Sequence, residues 1–323
     1  MGKHTSPVHV IRLGAALGLA LMITARDTST AQTPTFRSGV DLVPLTVTVT
    51  DNSGKYVRGL TGDNFVILED GIEQPLSFFA SSDIPVDVAL VIDTSASMRA
   101  DLPLVQAAAT GLVRALGPDD RGAVMSVNDR AGLPQPFTND RASVEDAVRR
   151  LTTAGSTALY DGLYVMLKEF QRERLNAPQV RRQVLVLLSD GLDNKSRLAF
   201  DDVLEQARRA DVNIYVIALK GQMPIVSQAQ ADGLLMNAEY AMNTVARDTG
   251  GRIFFPKTVR ELPTIYKAIA QELESQYELG YMPVRTASDG AFRRVSVRVA
   301  SVENARARTR SGYYAARASA ALR

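Results

Sequence analysis

The chain has 323 residues, enough for one large or two ordinary domains, and its 46% apolar and 22% charged composition is that of a globular protein. It contains no cysteine, which excludes disulfides, zinc–thiolate sites and the lipid-anchored lipoprotein route. Residues 1–31 hold Lys3, Arg12, Arg26 and Asp27, so without them the formal charge of +2 falls to zero and bulk attraction to nucleic acid or anionic membrane is not indicated.

Residues 1–31 read as a secretory signal. Lys3 and Arg12 supply the positive start, Leu13–Ala25 the apolar stretch, and Ser29, Thr30 and Ala31 small residues for cleavage. The apolar stretch is short for a membrane span, which takes about 20 residues. An uncleaved N-terminal anchor is the second reading of the same segment. After cleavage the chain carries no membrane span and belongs outside the cytoplasm: secreted, periplasmic or in the cell envelope. It also carries neither His nor Cys, because His4 and His9 leave with the signal. That removes the commonest general base and the commonest thiol nucleophile, and argues against an enzyme.

Residues 32–38 form a linker, and 39–83 read as the first part of a β-sandwich. Val43–Thr50 alternates apolar and polar side chains, Asp51–Gly54 is a turn, Phe65–Leu68 is a second strand stopped by Glu69-Asp70-Gly71, and Gln74–Phe79 is a third. From Pro85 strands and helices alternate. The strands are Val86–Asp93, Gly122–Asn128, Gln183–Ser189, Val212–Leu219 and Arg252–Phe255. The helices are Leu102–Leu116, Ser143–Leu151, Ala158–Arg174, Phe200–Ala210, Asn237–Thr249 and Leu262–Tyr277, the last with Ile265, Ile269, Leu273 and Tyr277 in one stripe and Gly280 as its cap. This alternation predicts an α/β fold over residues 84–277, a doubly wound, mostly parallel sheet. The continuous apolar runs Ala89–Ile92 and Val184–Leu188 mark its central strands. Residues 278–315 return to β character and are expected to complete the sandwich, with the α/β domain inserted into it; 316–323 are a tail. Arg181-Arg182 reads as a solvated loop, Arg293, Arg294 and Arg298 as an outward strand face, and Gly221–Asn237, with Met223 and Met236, as a loop suited either to partner contact or to packing over a helix.

The chemistry concentrates in three segments. Asp93 ends an apolar strand and is followed by Ser95 and Ser97, a D-x-S-x-S pattern. Thr157 lies in the loop Gly155–Gly162 just before a helix, and Asp190 follows the strand ending at Ser189. Each alone has a plainer use, as a helix cap or a turn residue. Together, at the carboxyl edge of one sheet, they are hard oxygen donors suited to Mg²⁺, and to Mn²⁺ or Ca²⁺.

This three-part pattern resembles the von Willebrand factor A domain family and its metal-ion-dependent adhesion site. It is similar in particular to a secreted bacterial subgroup whose β segments carry Phe65–Gly71 ahead of the A domain. The resemblance implies that Ser95 and Ser97 ligate the cation directly, that Thr157 does so directly or through water, and that Asp93 and Asp190 act mainly through water and hydrogen bonds. A site short of negative charge stays electrophilic, so a partner protein presenting Asp or Glu completes the coordination. Asp161 is assigned to support of the Thr157 loop, with interaction with the helix dipole as its other reading; Asp193 and Asn194 are read as solvated rim residues.

The function so implied is cation-dependent protein binding of the adhesion type. The alternatives are a structural envelope domain with a degenerate site and, behind it, a Mg²⁺-dependent phosphohydrolase. An aspartyl-nucleophile phosphatase would place a second Asp where Ser95 stands, Thr94–Met98 lacks the glycines of a dinucleotide turn, and no G-x-S-x-G elbow is evident.

Overall fold

Alternation at Val43–Thr50 builds the first strand, β1, whose Val43, Leu45 and Val47 point into a core while Pro44 and Thr46 stay half-exposed. It is followed by β2 (Phe65–Glu69), β3 (Ile72–Gln74) and β4 (Leu76–Ser81). These coordinates are a computed structural model, which describes residues 42–81, 84–177, 179–219, 228–287, 289–300 and 302–316. The signal and linker expected at 1–38, and Met223 of the expected loop, lie outside the described residues. Among the described residues no helix is long and apolar enough to cross a membrane.

The α/β segment runs β5 (Val86–Asp93), α1 (Leu102–Ala115), β6 (Arg121–Val127), β7 (Ala131–Thr138), α2 (Arg141–Arg149), α3 (Leu159–Asn176), β8 (Arg182–Ser189), α4 (Phe200–Ala210), β9 (Asn213–Ala218), α5 (Gln228–Asp248), β10 (Ile253–Phe254) and α6 (Leu262–Leu273). Its sheet has the order β10–β9–β8–β5–β6–β7, parallel except for β7 at the edge. Residues at every position of β5 and β8 are buried, as their apolar runs require. One layer, α1, α2 and α6, packs on one face; α3, α4 and α5 pack on the other. Pro103 and Pro263 sit in the first turns of α1 and α6, where a missing N–H costs nothing.

The chain then continues as β11 (Gln276–Tyr281), β12 (Phe292–Val299), β13 (Arg306–Arg308) and β14 (Gly312–Tyr314). They join the first strands in two sheets, β13–β1–β11–β4 and β14–β12–β2–β3. The sheets share one core made of Leu45, Val47, Ile67, Leu279, Tyr281 and Val297, among others. The α/β domain is therefore inserted into a β-sandwich.

Several local expectations are corrected. Helix α6 stops at Leu273, not Tyr277, and no glycine caps it. Its terminal carbonyl on Leu273 accepts a hydrogen bond from Arg182 Nη1 (2.7 Å). Three residues later the chain enters β11 between β1 and β4, so Tyr277 packs in the sandwich against Phe65 and Gly280 lies in a strand. The single strand expected at Gln74–Phe79 is two, broken at Pro75, one in each sheet. Strand β7 escaped the sequence reading because it carries Pro134 and Pro136, which only an edge position tolerates. Helix α5 begins at Gln228, so Met236 stands on a helix.

Three arginines are likewise not where a solvated role would put them. Arg293 is 2% exposed, because its register is that of inward Val295 and Val297; only Arg294 and Arg298 face out. Its guanidinium meets Glu69, whose other oxygen accepts from Tyr281 (2.7 Å) and Tyr313 (2.8 Å). Arg182 is buried against Ile84 and Gln276, and Arg181 holds Asp87 (2.6 Å).

Candidate metal centre

Strand β5 delivers Asp93, fully buried, to the carboxyl edge of the sheet, beside the end of β8. Both of its carboxylate oxygens are engaged: Oδ1 accepts the Ser95 N–H (2.8 Å) and Oδ2 the Ser189 hydroxyl (2.9 Å). Ser189 Oγ in turn accepts the Gly191 N–H (3.0 Å), which fixes the turn carrying Asp190. Asp190 Oδ1 accepts the Leu192 N–H (3.0 Å), and its carboxylate faces the Ser97 hydroxyl, which favours its ionised form.

The Ser95 and Ser97 hydroxyl oxygens lie 2.9 Å apart. Two oxygens at about 2.1 Å from an octahedral Mg²⁺ and at right angles are about 3 Å apart. The pair is joined by a hydrogen bond here, and that separation also matches one edge of such an octahedron. Ser95 and Asp190 are buried and Ser97 half-buried, so these donors line a recess at the sheet edge.

Burial raises the Asp190 carboxyl to about 6, with the neighbouring Asp93 charge adding to the rise. Asp93 is raised as well, by burial against the hydrogen bonds from Ser95 and Ser189. Among the described residues neither acid has an ion-pair partner. A buried carboxylate without a counter-charge is costly, and two side by side more so. The donor set fits a divalent cation on all three counts: hard oxygens, octahedral spacing, and uncompensated negative charge. Among the described residues no three His, Cys, Asp or Glu side chains converge, so the set is of hydroxyls and few carboxylates.

Thr157 is buried in the loop before α3, and backbone hydrogen bonds sew that loop to the others. Ala96 N–H reaches Gly155 O (3.0 Å), Ala154 N–H reaches Thr94 O (2.9 Å) and Ala158 N–H reaches Asn128 O (2.7 Å). Among the described residues no hydrogen bond joins the Thr157 hydroxyl to Asp93, Ser95, Ser97 or Asp190. Gly155 has φ +65°, and a Cβ there would collide with the Asp129 carboxylate, which receives the Ser156 N–H (2.9 Å).

The supporting residues differ from those expected. Asp161 Oδ1 accepts the N–H groups of Arg197 and Leu198 (3.1 Å each), so it orders that stretch. The Thr157 loop is held instead by Asn194, whose Oδ1 accepts the Thr157 N–H (3.0 Å) while its own N–H reaches Thr157 O (3.1 Å). Asp193 accepts from Leu159 N–H (2.8 Å) and Ser196 Oγ (2.7 Å). Asn194 is exposed and Asp193 half-buried, and both are hydrogen-bonded: short polar side chains in an irregular loop are where backbone N–H groups find acceptors. Ser189 was missed; its signal was its position between the apolar strand and Asp190.

A family model described as the von Willebrand factor type A domain matches residues 87–268. An uncharacterized protein of Synechocystis, sll0103, is 32% identical over 111 residues, which cover 33% of this chain and 26% of that protein; the chain spans about a quarter of that curated relative. Among solved structures, a von Willebrand factor type A protein from Catenulispora acidiphila is similar at 14% identity and a TM-score of 0.47, over 88% of this chain and 76% of that one. Proximal thread matrix protein 1 from the mussel byssus, with a zinc-occupied MIDAS motif, is similar at 19% identity and a TM-score of 0.46, over 64% and 49%. With its family model spanning more than half of its residues, the chain belongs to the von Willebrand factor type A domain family.

Proposed function

We propose that this chain is a divalent-cation-dependent protein-binding module, with no catalytic activity of its own. The observation that carries the reading is the pair of buried, unpaired acids, Asp93 and Asp190, flanking two hydroxyls at octahedral-edge spacing. Ser95 and Ser97 would hold the cation directly, Thr157 directly or through water, and Asp93 and Asp190 chiefly through water and hydrogen bonds. Bound there, Mg²⁺ supplies a Lewis-acidic coordination position that an Asp or Glu side chain of a partner fills. The chain's part is to fix the donors before the partner arrives, which the bonds from Ser189, Asn194 and Gly155 accomplish. In this reading residues 1–31 serve export and the module works in the envelope or beyond it.

Calorimetric titration of Mg²⁺ into the wild-type chain and into the Asp93→Ala/Ser95→Ala double variant tests the site. A saturable isotherm is expected for wild type only; equal affinity in both ends the proposal. Phosphoester turnover lost with Asp93→Asn would instead make the chain an enzyme.

A further inference from the structure

Helix α5 follows the parallel strand β9, so its first turns rise at the carboxyl edge of the sheet, the edge that carries Asp93 and Asp190. It packs against the turn that follows Asp190: a Cβ on Gly191 (φ +75°) would collide with Met242 and lie 3.3 Å from the Ala238 side chain. Ala238 and Met242 are thus the part of α5 that covers the Asp190 turn. One helical turn before Ala238, on the face that still leans toward that turn, come Leu234 and Leu235. They are 43% and 39% exposed, and Met236 and Tyr240 beside them are more exposed still. The buried stripe of α5 therefore continues as an apolar lip that no described residue covers. Single exposed apolar residues are ordinary; a contiguous group at the edge of a polar recess marks an interaction surface.

The other sides of the recess carry the opposite chemistry. Arg99 follows Ser97, Arg130 lies in the β6–β7 turn that holds the Gly155 loop, and Lys195 and Arg197 lie in the loop after Asp190. All four are exposed, and among the described residues none forms an ion pair. The carboxylates of the same loops, Asp129, Asp161 and Asp193, are occupied by backbone N–H groups. Those acids keep their charge but are tied into the loops, so among the described residues the charged side chains of these loops left without a partner are the four cations.

We infer that the lip of α5 and this cationic rim complete the docking surface around the candidate metal centre, and that the partner is an acidic protein segment bearing a large apolar side chain close to the Asp or Glu it offers. The inference rests on the metal-dependent reading above and adds to it what stands beside the coordinated acid. Burial of Leu234 and Leu235 by the partner supplies affinity, and the rim charges speed encounter and reject basic segments.

The probe is a random-peptide phage library panned on the full chain in Mg²⁺ and eluted with a chelator, in parallel on Leu234→Ser/Leu235→Ser and on Ser95→Ala/Ser97→Ala. Both lip residues are partly exposed, so that variant should fold, which circular dichroism checks. Wild type is expected to select peptides rich in Asp or Glu with an aliphatic or aromatic neighbour. The lip variant should keep the acidic enrichment, lose the apolar one, and bind a wild-type-selected peptide about tenfold more weakly. Acidic enrichment without apolar neighbours, or apolar enrichment unchanged in the lip variant, overturns the lip and leaves the metal reading standing. If the chelator releases no more from wild type than from Ser95→Ala/Ser97→Ala, the metal reading falls and this inference with it.

Discussion

Strand β5 carries a buried acid near each end, and the two are treated differently. Asp87, at the amino edge, is gripped by Arg121 (2.6 and 2.9 Å) and Arg181 (2.6 Å). Asp93, six positions on, is as deeply buried and has only hydroxyl and N–H donors, with a second unpaired acid, Asp190, across the strand end. Other buried acids follow the Asp87 pattern: Glu69 in the sandwich has Arg293, and Glu272 in α6 has Arg308 and the Tyr215 hydroxyl. Where an acid is neutralised from within, it ties elements together. Two acids left unneutralised beside hydroxyls are the arrangement on which the proposed cation site rests.

The largest expected effect is on the neutralised side. Asp87→Ala strands Arg181 and Arg121, and should cost about 3–5 kcal/mol in urea unfolding; a loss as small as that of a surface substitution would break the contrast. Glu278 is intermediate. It lies in β11 against Arg182, with Asp211, Arg310 and Thr46 also facing it, and burial raises it from 4.5 to about 7 despite the arginines. The folded state therefore holds a proton that the unfolded chain has released, and stability falls as pH rises from about 4.5 to about 7. Glu278→Gln should remove its share of that slope, leaving the part due to Asp190 and Asp93, and exceed wild type at pH 8 by on the order of 2 kcal/mol relative to pH 4. Thermal unfolding across that range checks it; an unchanged slope would mean that Glu278 is not the group responsible.

On the unneutralised side the sign changes. Asp93→Asn, measured in chelator, should leave stability within about 1 kcal/mol of wild type or raise it, because a buried unpaired charge is removed while the amide oxygen still accepts the Ser95 N–H and the amide N–H can donate to Ser189 Oγ. The smallest effect belongs to the exposed arginines: Arg298→Ala should stay within about 0.5 kcal/mol, whereas Arg293→Ala, on the opposite face of the same strand and buried on Glu69, should not.

The sequence carried the sheet well because its strands are apolar runs and its helices amphipathic between clear breaks: the stretch Val86–Asp93 and the helix Phe200–Ala210 have the bounds read from sequence. It misled where a distant partner overrode local pattern. The stripe from Ile265 to Tyr277 reads as one helix, yet Arg182 caps it at Leu273 and the sandwich takes Tyr277. Arg181 and Arg182 look solvated until the acid and carbonyls they meet are known. At the candidate site, all five proposed donors stand in sequence motifs, and the structure links four of them, Asp93, Ser95, Ser97 and Asp190, but not the Thr157 hydroxyl. The supports Ser189, Asn194 and Asp193 did not, since a short polar side chain on a loop has no partner until the loops converge.

Unfolding of the metal-stripped chain with and without Mg²⁺ tests the central claim most directly, that the unneutralised acids await a divalent cation. At about a hundred times the dissociation constant, Mg²⁺ should stabilise wild type by about 2.7 kcal/mol. Asp87→Ala, weak at the other end of β5, should gain as much over its own baseline, and Asp93→Ala/Ser95→Ala nothing. Equal stabilisation of wild type and the double variant would contradict the account.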